Sequence, residues 1–176
     1  MKTESCFFKN SIAVIKLCRI VMMKMILFFL IFFFYPNSAQ TKYLSVPHLK
    51  EMAEYEFSAL DLLMTSKHGF TRIRDIEDFN QRVYTNHTDD PKDLVVVTII
   101  RNEQSCSNIL SIVNNSASDI ARLKEELPLS GFWYNGRKQM SEKLIVSQFA
   151  SEKNTISITD HVTETGAYQI LLLCKK

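Results

Sequence analysis

The sequence predicts an α+β protein in which an antiparallel sheet, built from tandem duplicated helix-plus-three-strand units, is covered by two helices. Three observations point there. Helical periodicity around 49–68 and again around 114–127 is followed each time by runs rich in β-branched residues. Two of only four glycines, Gly69 and Gly131, stand directly before phenylalanine, 62 residues apart. The same spacing relates Val83 to Ile145, Tyr84 to Val146, Leu94 to Ile156, Val96 to Ile158, Ile109 to Leu171 and Leu110 to Leu172. Self-similarity of this kind is the mark of a repeated supersecondary unit. Helix-then-strands order, rather than strict βαβ alternation, predicts antiparallel pairing with both helices on one face. Six strands are expected, in one continuous sheet or in two lobes.

Residues 1–39 stand apart from this plan. They hold five basic residues (Lys2, Lys9, Lys16, Arg19, Lys24), one acid (Glu4) and the apolar run "MILFFLIFFFY" from Met25 to Tyr35. Eleven residues are too few to span a bilayer, which takes about 20. A cationic start, a short apolar core, Pro36 and small residues up to Ala39 predict a secretory signal peptide cleaved before Gln40. The competing expectation is an uncleaved membrane anchor, the one route by which this chain would touch a membrane. The stretch ahead of Met22 is long for a signal, so translation starts either at Met1 or at Met22 or Met23. Export would place the protein in the periplasm or outside the cell.

The remaining chain divides into an extended leader, 40–48, a first unit, 49–114, and a second, 115–176, packed together as one domain. In the first, Met52, Tyr55, Phe57, Leu60, Leu63 and Met64 recur at helical steps. Gly69 closes the helix, since glycine takes the left-handed conformation at low cost. "RVYTNH" is a strand, "TDDPKD" a turn, and "LVVVTIIR" the strongest strand, apolar on both faces. "NEQS" turns the chain into "CSNILSIVN". In the second unit Ser116 or Ser118 caps a helix that buries Ile120, Leu123 and Leu127 and stops at Pro128. After "GFWYNG", with Asn135-Gly136 as a tight turn, come "KLIVSQFAS", "NTISITDHV" and "AYQILLLCK". In the middle one Ile156, Ile158 and Val162 share a side. In layout the tandem units resemble inhibitor proteins of the β-lactamase-inhibitor type; the likeness carries no shared motif and assigns no function.

Charge narrows the function. Of 21 basic residues five lie in the leader, and of 19 acidic residues one, which leaves 16 and 18 and a net charge of −2. The basic clustering that nucleic-acid binding needs is missing, so no nucleic-acid partner is expected. No His, Cys or carboxylate set has metal-ligand spacing, and no glycine-rich loop would cradle a phosphate. No serine sits in a glycine elbow. No catalytic residue, metal or cofactor is therefore assigned. His68, beside a helix-ending glycine, is expected to complement the helix dipole as a cation. The expected function is an exported, non-catalytic binding protein whose partner is another protein or an envelope component. The alternative is a small enzyme or small-molecule carrier with a cleft between the halves, where His87 or His161 meets Asp160. Trp133 and Tyr134 are the candidate binding residues, because aromatics concentrate at hot spots. Cys106 and Cys174 are the candidate disulfide: if the last strands of the two units pair about Ile109 and Leu171, these cysteines face each other. Two buried thiols remain the other option.

Overall fold

The computed structural model describes residues 44–103 and 106–175; the expected signal peptide and most of the leader lie outside them. Eight strands, not six, form one antiparallel sheet: β1 (Thr71–Arg72), β2 (Gln81–Thr85), β3 (Val95–Arg101), β4 (Asn108–Asn114), β5 (Trp133–Gln139), β6 (Ile145–Ala150), β7 (Asn154–Thr159) and β8 (Tyr168–Cys174). Their spatial order is β1-β2-β3-β4-β8-β7-β6-β5. The two strands missed at sequence level are the edges. β1 is two residues long, and β5 shows no alternation of burial.

The first helix, α1 (Val46–Glu54), starts three residues earlier than expected. Pro47 sits in its first turn, where backbone N–H groups lack helical partners and a proline costs little. The expected continuous helix to Gly69 is instead broken. Tyr55 is extended, a 3-10 turn covers Phe57–Ala59 and a π-helical turn covers Leu62–Lys67. The cause is visible in the packing. Asn108, fully buried, donates from Nδ2 to the carbonyls of Met52 and Tyr55 at 2.8 Å each, which satisfies the end of α1 before a further turn begins. The break re-aims Phe57, which a single helix would have turned away from Met52, so that its ring takes the Arg82 guanidinium at 4.9 Å.

The second helix, α2 (Ala117–Leu129), is capped by Ser116, whose hydroxyl accepts from the Asp119 N–H at 3.3 Å. Pro128 lies inside its last turn instead of stopping it; the chain turns at Gly131, φ +85°. Leu123, Leu127 and Ile120 of α2, and Val46, Leu49 and Met52 of α1, join one core with Tyr84, Val97, Ile99, Leu110, Ile112, Phe149, Ile156, Ile158, Ile170 and Leu172. Among the described residues both helices therefore cover the same face of the sheet. Val162, expected beside Ile156, lies beyond the end of β7 and is 52% exposed.

The uninterrupted 62-residue spacing does not hold through the strands. Tyr84 faces the helices while its expected counterpart Val146 lies on the opposite face from Phe149, and Val96 faces away from the helices while Ile158 faces them. An odd difference in strand register exchanges the faces. The central register also differs from expectation. Leu110 pairs with Leu172, Ser111 with Leu171 and Ile112 with Ile170, a two-residue slip from the Ile109–Leu171 pairing. Such a slip keeps every side chain on its face. Cys106, in the bend before β4, still reaches Cys174 at the end of β8, and the two form a disulfide with 5.8 Å between Cα atoms.

That disulfide closes a 68-residue separation. Loop-closure entropy for such a loop gives about 4 kcal/mol of stabilisation. The Cys106→Ser/Cys174→Ser double variant is expected to lose most of this, measured by chemical denaturation. A loss below about 1 kcal/mol would show that the disulfide does not constrain the unfolded chain.

Candidate functional site

Successive residues of a strand point to opposite faces. With the helices on one face, every second residue of the sheet lies on a face that no described helix covers. Three rows cross it. One runs Val83, Thr98, Ser111, Leu171, Ser157, Gln148. A second runs Thr85, Val96, Val113, Gln169, Thr159, Val146. The third joins Gln81, Ile100, Ile109, Leu173, Thr155 and Ala150, and reaches Trp133 of β5. None of these 18 positions on the six inner strands is ionisable. Six of them (Val83, Thr85, Val146, Ala150, Ser157 and Thr159) are buried within the chain; exposed surface is typically about 25–35% charged, so about three or four charges would be usual among the other positions. Val96, Ile100, Ile109, Val113 and Leu171 are half-buried, and Leu173 and Trp133 are exposed.

The two aromatic candidates are not one platform. Trp133 pairs with Ala150 and lies on the open face, 51% exposed, with Lys175 Nζ 4.8 Å from its ring centroid. Tyr134 pairs with Phe149 and lies on the helix side, its ring edge-on to that of Phe149 at 5.5 Å. Asn135-Gly136 is not a hairpin turn. It forms a bulge within β5, between Tyr134 and Arg137, with Gly136 at φ +92°. Bulges are common at sheet edges, where they blunt unwanted strand pairing.

A recess of about 440 Å³ lies at the disulfide, lined by Glu54, Cys106, Ser107, Lys153, Cys174 and Lys175 among others. Its residues come from both halves. His87, His161 and Asp160, the groups expected to converge in a cleft, do not line it. His161 is an exposed loop residue. Asp160 is held elsewhere: Ser147 donates to its carboxylate at 2.6 Å, Lys124 at 3.0 Å, and Arg137 Nε pairs with it at 2.9 Å. Burial alone would raise its pKa, but these partners outweigh burial and hold it below the ordinary carboxylate range.

A matching cluster occupies the first half. Asp61 accepts from the buried Tyr84 hydroxyl at 2.7 Å and pairs with Arg72 and Arg82, while Arg72 also forks onto Glu77. Burial works against the ionised forms of Asp61 and Glu77, yet the partners bring both pKa values below normal. The Tyr84 phenol is pushed upward, by burial first and the Asp61 carboxylate second. The first cluster sets two carboxylates against two arginines, and the second sets one carboxylate against Lys124 and Arg137; both suit tying helices and loops to the sheet. Sequence reasoning missed the first cluster because Asp61, Arg72 and Tyr84 are far apart in the chain and carry no local motif.

His68 is not the expected dipole cation. Its side chain is 6% exposed, it packs against His48 with 4.5 Å between ring centroids, and its Nε2 lies 3.3 Å from Glu51 Oε2. Burial first, then His48 and Lys67, lower its pKa against the pull of Glu51. Among the described residues no three His, Cys, Asp or Glu side chains are gathered as a metal ion would require, and no helix is long and apolar enough to cross a membrane.

These features define an α+β open-sheet protein whose second face carries no ionisable residue on its inner strands, with Lys138 and Lys175 at its β5 margin. Comparison of the chain with protein-family models, curated proteins and solved structures returns no match.

Two predictions follow from the polar groups. A lowered histidine pKa means the unfolded chain binds its proton first, so stability falls as pH drops below about 6.5. Lowered carboxylate pKa values keep their stabilisation above about 4 and lose it as pH falls further. Thermal melts from pH 8 to 3 should show both declines, and His68→Gln should flatten the first. Separately, Asn108→Ala leaves the carbonyls of Met52 and Tyr55 without their donor and should cost about 2–3 kcal/mol in denaturant midpoints.

Proposed function

We propose that this chain is an exported, non-catalytic binding protein of the periplasm or cell envelope, and that its open sheet face takes up another protein or an envelope component. One observation carries this: eighteen inner-strand positions without a charge, on the face that the described helices leave uncovered. Charge depletion with an aromatic at the margin is the composition of an interface core. The Cys106–Cys174 disulfide supports export, since such bonds persist in oxidising compartments. The cationic, apolar and small-residue order of residues 1–39 supports it too.

We also infer a tandem duplication. The strand order is mirrored about the β4–β8 pair, and both edge strands follow a Gly-Phe step. The mirrored ladders match Tyr84 with Phe149, Val97 with Ile156, Ile99 with Ile158, Leu110 with Ile170 and Ile112 with Leu172, all of them core residues. Spacings that change from strand to strand account for the failure of a single offset.

The alternative, a small-molecule carrier or small enzyme with a site between the halves, rests on the recess at the disulfide, to which both halves contribute. The two readings separate by photo-crosslinking. A photoreactive amino acid at Leu171 or Trp133 should give a covalent adduct in living cells, while one at Glu125 on the exposed surface of α2 should not. Adducts equal at all three sites, or none from the sheet, would remove the open face as the binding surface.

A further inference from the structure

We propose that the recess at the disulfide binds a small zwitterion of the dipeptide class, in which one peptide group separates an ammonium from a carboxylate. The inference rests on reading that recess as a small-molecule site and goes on to name its ligand. The volume of about 440 Å³ falls within the range of about 300–1,000 Å³ typical of small-molecule sites. Both halves of the chain line it, and the Cys106–Cys174 bond joins them there. The recess is therefore formed before a ligand arrives, which reduces the ordering cost of binding.

The chemistry of the lining selects the ligand. Asn154 lines the recess and is only 5% exposed, yet among the described residues its side-chain amide makes no hydrogen bond. Its backbone alone is engaged, with Ser151 and with the β8 ladder. Buried polar groups are ordinarily satisfied, and an amide that opens on a recess is completed by what enters it. An amide both donates and accepts, as a peptide group does. Glu54, Glu152 and Lys153 are exposed at the same recess. Among the described residues none of the three forms an ion pair. Lys175 is already committed, since its Nζ donates to the Ser151 carbonyl and covers the Trp133 ring. What remains is Lys153 for a ligand carboxylate, and Glu54 and Glu152 for a ligand ammonium. Glu54 is also the last residue of α1, where the helix dipole favours a cation. A phosphate would meet both glutamates, and a metal ion would lack a third ligand.

Titration calorimetry with the dipeptide Ala-Ala tests this on the protein as cells produce it. The expected result is binding with a Kd below about 1 mM. N-acetyl-Ala-Ala, which lacks the ammonium, and Ala-Ala amide, which lacks the carboxylate, should each bind about 10-fold more weakly or worse. Lys153→Met should abolish the preference for the free carboxylate, and Glu54→Gln/Glu152→Gln the preference for the free ammonium. Asn154→Ala should weaken all three peptides without moving the thermal midpoint, because its amide has no partner in the chain to lose. Where that variant loses its native circular dichroism, the variants at exposed Lys153, Glu54 and Glu152 carry the test. Ala-Ala that does not bind, or that binds no better than its blocked forms, overturns the proposal, as does binding indifferent to all of these variants. Glucose and acetamide, followed by ligand-observed NMR, separate the two readings. If either binds in a manner that depends on Asn154 while Ala-Ala does not, the zwitterion is rejected and the recess remains a small-molecule site. If none of the probes binds, the small-molecule reading of the recess falls with it.

Discussion

The pairing of β4 with β8 is the constraint on which the rest of the sheet depends. Every other ladder joins strands that follow one another in the chain. Such hairpins close short loops and cost little entropy. The β4–β8 ladder brings Leu110 to Leu172 and Asn114 to Tyr168 across the whole second half of the chain. It joins two four-stranded halves into one eight-stranded sheet. Leu110, Ile112, Ile170 and Leu172 meet there, all nearly inaccessible to water, and burial of such side chains is worth about 1.5–3 kcal/mol each. The disulfide sits at one end of this same ladder. It lowers the entropy of the unfolded chain for the long-range contact that local structure does not help.

Polar chemistry is distributed unequally between the two faces. On the helix side, Asp61 with Arg72, Arg82 and Tyr84, and Asp160 with Lys124, Ser147 and Arg137, tie helices and loops to the sheet. Leaving a buried carboxylate without a partner is costly, so each is met by cations and a hydroxyl. Asn108 performs a related task with a neutral side chain, ending α1 where its carbonyls would otherwise lack donors. These interactions fix where the covering layer sits. None of them reaches the open face of the inner strands, which keeps only groups that are neutral or hydrogen-bond both ways.

Much of this fold was legible in the sequence, and its gaps have physical causes. The β3, β4, β6, β7 and β8 runs were visible because each carries β-branched or apolar residues over a strand length. The stripe of Ile120, Leu123 and Leu127 was visible because a helix repeats every 3.6 residues. The edge strands were not, since Thr71–Arg72 and Trp133–Gln139 bury one side poorly and show no alternation. Breakage of the first helix was hidden as well, because it follows from Asn108, more than fifty residues away. Trp133 was recognisable as unusual, but its separation from Tyr134 onto the opposite face required knowing that both lie in one strand. Asp61 and Asp160 gave no local signal, as their partners are assembled only by the tertiary fold.

The strongest sequence signal for the open face was the strand that looked apolar on both sides. Strands of that kind ordinarily belong to sheets covered on both faces, whereas antiparallel sheets with one solvated face alternate apolar with charged or strongly polar residues. Val96 and Ile100 in β3, Ile109 and Val113 in β4, and Leu171 and Leu173 in β8 all break that alternation. The core does not require them, because Val95, Val97, Ile99, Leu110, Ile112, Ile170 and Leu172 already fill the helix side. Nor does strand propensity require all of them. Threonine at Thr98 and serine at Ser111 occupy the same face without breaking the sheet, so polar substitution there is compatible with the fold. The apolar residues on the face that the described helices leave open are the observation on which the proposed contact with a further surface rests.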